Sequence, residues 1–171
     1  TVAHFNHQLR GQSSEADERL VQRSAVKLGL RFVRGGADVR KYADARKLSL
    51  EMAARKLRHD FLARTARRLN IATVVLAHHA DDQLELFFLR LLRGTGGEGI
   101  AGMKWRNPSS AHAETELVRP LLDQTKAALR DYARREKIVS CEDASNAQLD
   151  IRRNRIRHEL LPLLQRKYQP A

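Results

Sequence analysis

A cluster of acidic side chains follows an apolar run in the middle of the chain. Asp81, Asp82 and Glu85 come shortly after the segment Ile71–Ala77 and two histidines. Residues three and four apart are neighbours on a helix, so these carboxylates share its first turn. Together they can hold Mg²⁺, orient an ammonium group or supply a general base. Helix capping explains any one of them, but three carboxylates beside two histidines exceed what a cap needs, which favours a functional site.

Polar side chains also follow the apolar start of the chain. The segment His4–Arg10 carries two histidines, an asparagine and an arginine, and a helix is predicted to begin at Ser13 or Ser14. The N-terminus of a helix attracts anions, so a phosphate or a nucleotide can bind here. A polar turn before a capped helix is the alternative, and the residue types alone favour it.

Two arginines lie on one face of a long predicted helix, where Arg55 and Arg58 accompany Glu51. They indicate either a phosphate contact through the guanidinium groups or an ordinary surface ion pair, and spacing does not decide between them. The glycine-rich segment Gly94–Gly99 can cradle phosphate. It follows a helix rather than a strand, however, which favours a flexible connection.

The C-terminal segment is strongly basic. Arg152, Arg153, Asn154 and Arg157 lie in a predicted helix, and the whole chain has a formal net charge of +12. Arginine at this density suits the phosphate backbone of RNA or DNA, whereas a solvated charged face is the alternative. The net charge of the chain favours contact with RNA.

Apolar runs and helical patterns alternate along the chain, which predicts an α/β fold with a parallel sheet. Ligands bind beyond the carboxyl ends of strands in such sheets, which selects the residues after Phe5 and those after Ala77. Gly35 and Gly36 are expected to end the second strand, and residues 106–116 to form an exposed loop. The predicted elements are strands 1–5, 30–33, 71–77, 117–122 and 138–140, and helices 13–27, 49–69, 81–93, 125–137 and 152–167.

Composition restricts the class of protein. Hydrophobic residues make up 42% and charged residues 30% of the chain, which is typical of a folded domain. The single Cys141 excludes an intrachain disulfide and any multi-cysteine metal site. No run approaches the roughly 18 apolar residues of a membrane span. We therefore expect a cytoplasmic protein.

Six segments occur in the order in which one protein family carries them. They resemble the tRNA(Ile)-lysidine synthetases, a branch of the PP-loop ATP pyrophosphatases, over nearly the whole chain. The segments are His4-x-Asn6-His7-x-Leu9-Arg10, Ser49-x-Glu51-x-x-Ala54-Arg55-x-x-Arg58, Ala77-His78-His79-x-Asp81-Asp82-Gln83-x-Glu85, Arg93-Gly94-x-Gly96-x-x-Gly99-x-x-Gly102-Met103, Arg119-Pro120-Leu121-Leu122, and Asp143-x-Ser145-Asn146 followed by Arg153-Asn154-x-Ile156-Arg157-x-x-Leu160-Leu161-Pro162.

The resemblance implies a Rossmann-like core and a two-step reaction. ATP would adenylate the C2 oxygen of the wobble cytidine in an isoleucine tRNA with a CAU anticodon. The ε-amino group of free lysine would then attack C2 and expel AMP, giving lysidine. The implied cofactors are ATP and Mg²⁺, the implied partners are this tRNA and lysine, and a homodimer stays open.

The resemblance also implies a role for each candidate residue. The implied catalytic residues are Asp82, Glu85, His79 and Arg55. The implied nucleotide-binding residues are His4, Asn6, His7, Arg58 and His78. Asp81 and Asp82 are the implied metal ligands, and the implied tRNA contacts are Arg152, Arg153, Asn154 and Arg157.

One family signature does not occur among the 171 residues. This is the ATP-binding Ser-Gly-Gly-x-Asp-Ser loop, which in the family lies upstream of the His-x-Asn-His segment. We therefore expect a fragment of a longer protein, with a partial PP-loop α/β domain at 1–140 and the start of a basic, tRNA-contacting helical region at 141–171. The strand at His4 would then have an unpaired edge.

Two other functions remain open on the residues alone. One is a PP-loop enzyme that thiolates tRNA, although such enzymes use cysteine pairs and this chain has one cysteine. The other is a non-catalytic RNA-binding module that keeps the basic surface without the ATP loop.

Overall fold

Strands and helices alternate along the first 75 residues, as the sequence predicts. The computed structural model describes residues 1–141, 149 and 151–168. Two compact units divide the chain, the first made of residues 1–75 and 106–118, the second of residues 76–105 and 119–171. The elements of the first unit are β1 (Val2–Asn6), α1 (Gln12–Lys27), β2 (Phe32–Gly36), α2 (Val39–Arg46), α3 (Leu50–Arg68), β3 (Thr73–Val75), β4 (Arg106–Ser109) and β5 (His112–Val118).

The strands of the first unit form two small sheets. β1 pairs in parallel with β2, from Val2 opposite Phe32 to Asn6 opposite Gly36. In the second sheet β5 lies between β3, which is parallel to it, and β4, which is antiparallel. The predicted parallel pairing is therefore confirmed. Among the described strands β1 pairs with β2 alone, so its other edge has no strand partner there.

The core of the first unit lies where α2 and α3 pack together. Val39, Ala43 and Ala53 are buried at its centre. Each of these helices begins at a side-chain N-cap. Asp38 accepts a hydrogen bond from the Lys41 amide at the start of α2, and Ser49 accepts one from the Met52 amide at the start of α3. The partly buried side chains around this centre are Phe5, Leu9, Tyr42, Leu48, Ala54 and Leu57.

Several elements of the first unit differ from the expectations: α2 was not predicted, and the strand expected over 117–122 ends at Val118. Gly35 and Gly36 were expected to end β2, but both lie in the strand, paired with Phe5 and Asn6. A Cβ on Gly35 would lie 2.5 Å from the Phe61 ring, so the glycine admits an aromatic side chain against the sheet. The expected loop at 106–116 is the β4–β5 hairpin, in which Arg106 is ion-paired with Glu116 across the strands at 2.6 Å.

The second unit is mainly helical. Its elements are α4 (Ala80–Leu91), α5 (Gly97–Ile100), α6 (Lys126–Arg135), α7 (Arg152–Arg155), a π-helical segment (Ile156–Leu160) and α8 (Leu161–Tyr168). Residues 138–140, expected to form a strand, have no regular structure. The predicted helix 152–167 is present, but a π-helical segment interrupts it, and such segments are rare. None of the described helices has the length and apolar character needed to cross a membrane.

Candidate active site

The carboxylate of Glu85 is the centre of the second unit's polar network. Glu85 lies on α4 and is 0% exposed, the most buried charged side chain described. Its Oε2 accepts a hydrogen bond from Nε of Arg153, and its Oε1 accepts one from Nε of Arg157 at 2.6 Å. Because the two arginines are one helical turn apart, a single stretch of the C-terminal helix engages both oxygens.

Asp82 joins the same network one turn earlier on α4. Its Oδ1 accepts from Nη2 of Arg153 at 2.5 Å, so one guanidinium bridges both carboxylates. Its Oδ2 accepts from the backbone N–H of His79 at 3.0 Å, and the His79 ring lies 3.6 Å from the same oxygen. Asp82 therefore completes the capping box at the start of α4 and also forms an ion pair with Arg153.

The network balances its charges within a largely buried volume. Two carboxylates face two guanidinium groups, and the side chains of Arg153 and Arg157 are 35% and 20% exposed. Removing one member of such a group leaves an uncompensated buried charge, at a cost of about 3–5 kcal/mol. The four side chains therefore form one unit that is set in place before any ligand binds.

Asp81 faces a different partner from Asp82 and Glu85. Its Oδ2 accepts from the backbone N–H of Lys126 at 2.8 Å, and the adjacent Ala80 amide donates to the Gln124 carbonyl. The first turn of α4 is thereby joined to the first turn of α6. The three carboxylates expected to share the first turn of this helix therefore divide between two partners: Asp82 and Glu85 face Arg153, while Asp81 lies toward α6.

The expected metal site has no preformed cluster. The described residues contain no group of three or more His, Cys, Asp or Glu side chains able to hold a metal ion. Mg²⁺ often binds through only one or two carboxylates, with water and substrate phosphates completing its shell. The two carboxylates expected to bind the ion are those of Asp81 and Asp82, whose side chains are 38% and 14% exposed.

The C-terminal helix has two distinct faces. Asn154 is buried and Arg153 and Arg157 face α4, whereas Arg152 and Arg155 are exposed. The segment Asp143–Asn146, part of the sixth motif, lies outside the described residues.

In the first unit, Asn6 fixes the turn that follows β1. Its Nδ2 donates to Glu18 at 3.0 Å and to the Ser14 carbonyl at 3.4 Å, and its Oδ1 accepts from the Gln8 amide. The helix α1 was expected to be capped by a serine, but Gly11 stands at the N-cap. The Ser14 hydroxyl instead accepts from the Arg10 amide, which closes the turn.

Burial lowers the pKa of both histidines at the end of β1. Burial, the charge of Arg58 and the neighbouring His4 lower the pKa of His7 to about 4. Burial also lowers the pKa of His4, against the opposing effect of Glu18 and Asp17. His7 is therefore neutral at pH 7, and its ring packs edge-on against Phe5 with centroids 5.1 Å apart. The structure thus brings His4, His7 and Arg58 together in one region.

Two further candidates lie on α3 and immediately before α4. Arg55 is exposed on α3, where it is one turn from Glu51, and Arg58 is half-buried one turn further on. His78 is half-buried immediately before the N-cap of α4, in the second unit.

Comparison with known proteins identifies the family to which the chain belongs. The PP-loop domain family matches residues 1–164. The chain belongs to the PP-loop domain family. It is also similar to proteins named tRNA(Ile)-lysidine synthase: 42% identical to that of Geobacter sulfurreducens over 165 residues, 39% to that of Porphyromonas gingivalis over 163, and 36% to that of Petrotoga mobilis over 166. These alignments confirm the resemblance inferred from the six motifs.

This PP-loop domain corresponds to part of those relatives. The alignments cover 96%, 95% and 97% of this chain, but 34%, 35% and 51% of the three relatives. The chain therefore spans between a third and a half of the length of these three proteins.

Sequence reasoning missed how this PP-loop domain uses its arginines. Arg153 and Arg157 were expected to contact tRNA, whereas in the structure both bind Glu85, 68 and 72 residues earlier. Gln83 was also given no role, although it makes two hydrogen bonds to the main chain of Met103. Its place inside the motif Asp81–Glu85 was the available signal.

Proposed function

We propose that the chain supplies the ligase chemistry of a tRNA(Ile)-lysidine synthase, in which ATP drives the attachment of lysine to C2 of the wobble cytidine. Alignment with proteins of that name over nearly the whole chain supports this reading. The observation that carries it is the buried Glu85, joined to Asp82 through Arg153 on the first turns of α4. Such a network provides a fixed carboxylate for an amine substrate.

In this proposal Asp82 is the catalytic carboxylate. It orients the lysine ammonium group and accepts a proton, so that the neutral ε-amine can attack C2 of the adenylated cytidine. The bond from C2 to the adenylate oxygen then breaks and AMP leaves. His79 lies against Asp82 and fixes one of its oxygens through the backbone N–H.

Glu85 acts as a positioning residue in the same proposal. Both of its oxygens accept from arginines and its side chain is fully buried, so it is placed to hold Arg153 and Arg157 rather than to meet substrate. Arg153 in turn fixes the oxygen Oδ1 of Asp82.

The proposal also assigns the residues that bind nucleotide, metal and tRNA. His4, Asn6, His7, Arg58 and His78 are proposed to bind the adenine nucleotide, with Arg55 directed to phosphate. The uncharged His7 ring beside Phe5 suits a base or ribose better than a phosphate. Asp81 and Asp82 would hold Mg²⁺, which when bound neutralises phosphate charge. Of the residues expected to contact tRNA, the exposed Arg152 is proposed to do so, whereas Arg153 and Arg157 are held by Glu85.

A lysine-incorporation assay tests the proposal. The gene product that carries this sequence is incubated with ATP, Mg²⁺, radiolabelled lysine and a transcript of isoleucine tRNA with a CAU anticodon. We expect label in the tRNA, and none when the wobble cytidine is changed to uridine. Absence of label with intact tRNA binding would contradict lysidine synthesis and favour another tRNA modification or a binding module.

A matched pair of variants tests the carboxylate network. Glu85→Gln removes the charge that holds two arginines, and we expect incorporation to fall by roughly a hundredfold or more. Glu114→Gln is the control, because this carboxylate is on β5 and is 89% exposed. Equal activity of the two variants would contradict the assigned role of Glu85.

A further inference from the structure

A five-residue strap without regular secondary structure follows α5. The strap is Ala101–Trp105, and side chains from two sides hold its carbonyls. Arg90 of α4 donates to the Ala101 carbonyl. The buried Arg119 donates from Nη1 to the Lys104 carbonyl at 2.8 Å and from its backbone N–H to the Trp105 carbonyl at 2.9 Å. The strap is therefore fixed by polar contacts rather than by a helix or a sheet.

Gln83 makes the two-way contact at the middle of the strap. Its Nε2 donates to the Met103 carbonyl at 2.9 Å, and its Oε1 accepts from the Met103 amide at 2.6 Å. A Cβ on Gly102 would lie 2.8 Å from Oε1 and 2.9 Å from Nε2. The glutamine amide and the strap backbone thus fit together only because residue 102 has no side chain.

We propose that Gln83 is a positioning residue that latches the strap to the turn of α4 carrying Asp82 and Glu85. The inference rests on the proposed function, since it gives those carboxylates their role. Gln83 lies next to Asp82 in the chain, so a displacement of the strap acts directly on that turn. The glycine-rich segment 94–99 precedes the strap, and the latch sets where that segment ends.

The latch limits the number of conformations open to the connection after α4. Gly94 has a φ of +72° and a Cβ on Gly96 would meet nothing within 4 Å, so this part of the chain adds little restraint of its own. Without the latch, the fraction of molecules with the strap in place falls, and the apparent affinity for a substrate bound beside it falls in proportion. We expect removal of the two hydrogen bonds to lower this apparent affinity about tenfold.

Hydrogen exchange tests the contact itself. The variant is Gln83→Met, which keeps the length of the side chain and removes both hydrogen bonds, in the gene product that carries this sequence. We expect the Met103 amide to exchange at least about tenfold faster than in the parent protein. Gln165→Met, at an exposed position of α8, is the control and should leave that amide unchanged. Unchanged exchange of Met103 in Gln83→Met would overturn the latch.

Kinetics test the positioning role. In Gln83→Met we expect kcat/KM for lysine to fall about tenfold, because Gln83 joins the strap to the turn that carries the carboxylate assigned to lysine. Faster exchange of Met103 with unchanged lysine kinetics would reduce the latch to a structural contact and overturn its positioning role.

A double-mutant cycle identifies the latch as the cause. Gly102→Ala should displace the Gln83 amide and lower kcat/KM for lysine as Gln83→Met does. Gly96→Ala adds a methyl group in open space and should leave kcat/KM unchanged. Adding Gly102→Ala to Gln83→Ala should lower kcat/KM little further, because the hydrogen bonds between residue 83 and Met103 are already absent. Additive losses would overturn the assignment. If the parent protein makes no lysidine, the proposed function fails. Hydrogen exchange at the Met103 amide still tests the latch in that case.

Discussion

The individual residues of the β1 turn show how packing sets the charge of a side chain. His7 packs against Phe5 and lies near the cation of Arg58, so its neutral form is favoured. Asn6 makes hydrogen bonds through both of its side-chain polar atoms within the turn and cannot move without releasing Glu18. The turn is therefore held by several hydrogen bonds of one side chain and carries an uncharged imidazole at the end of a strand.

Stability should depend on pH through His7. The pKa of His7 is about 4 in the folded state and its ordinary value is 6.5, so the unfolded chain binds more protons between these values. The contribution of His7 to the free energy of unfolding is therefore complete above about pH 6.5 and is lost as the pH falls toward 4. We expect the urea midpoint to drop less between pH 7.5 and 5 in His7→Gln than in the parent protein. A His7 ring that titrates by NMR near its ordinary pKa would contradict this.

At the same scale, helical spacing predicted part of the candidate site. It placed Asp82 and Glu85 on one face of α4, and the structure brings their carboxylates together. Spacing could not show that Asp81 caps α6, nor that Arg153 and Arg157 return to Glu85. Those contacts join residues 45 to 72 positions apart, and local patterns do not encode how the chain folds back over such distances.

Single elements show where local patterns succeed and fail. The helix α3 begins after Ser49 as predicted, because a cap is a local signal. The β4–β5 hairpin was missed, since its strands are polar and are held by cross-strand contacts such as Arg106 with Glu116. β2 was predicted to end at its glycines, because the ring of Phe61 that requires Gly35 comes from another element.

The packing of β2 against α3 gives a prediction for Gly35. Gly35→Ala would place a methyl group 2.5 Å from the Phe61 ring, so we expect a loss of about 1–3 kcal/mol in the free energy of unfolding. Urea denaturation measures it, as a lower midpoint with an unchanged slope. Gly35→Ala combined with Phe61→Leu should recover part of the loss. Gly96→Ala is the control, because its methyl group meets nothing within 4 Å. Equal urea midpoints for Gly35→Ala and Gly96→Ala would contradict the clash.

The whole molecule carries its positive charge in two different ways. Arg153 and Arg157 are neutralised inside the second unit, while Arg152, Arg155 and Arg166 are exposed on the same helix. The net charge of +12 does not distinguish these two groups. Only the exposed cations can release counterions from RNA, so the second group should dominate binding to a polyanion.

Salt dependence separates these two groups of arginines. Replacing Arg152, Arg155 and Arg166 by alanine should reduce the slope of log K against log salt for tRNA binding, by about 1 for each phosphate that the variant no longer neutralises. The control replaces three exposed arginines of the first unit, which are Arg19, Arg23 and Arg67. Filter binding or fluorescence anisotropy at several salt concentrations measures the slope. Equal changes in both sets would contradict a tRNA contact on the C-terminal helix.

The distance along the chain between Glu85 and its arginines has a consequence for synthesis on the ribosome. Arg157 follows Glu85 by 72 residues, so at about 5–20 residues per second the nascent chain waits roughly 4–14 s for the second counter-charge. During that interval burial of Glu85 is opposed by its own desolvation. The first turns of α4 therefore reach their final packing only after Arg157 has been translated, so the packing of this helix depends on synthesis of the C-terminal helix.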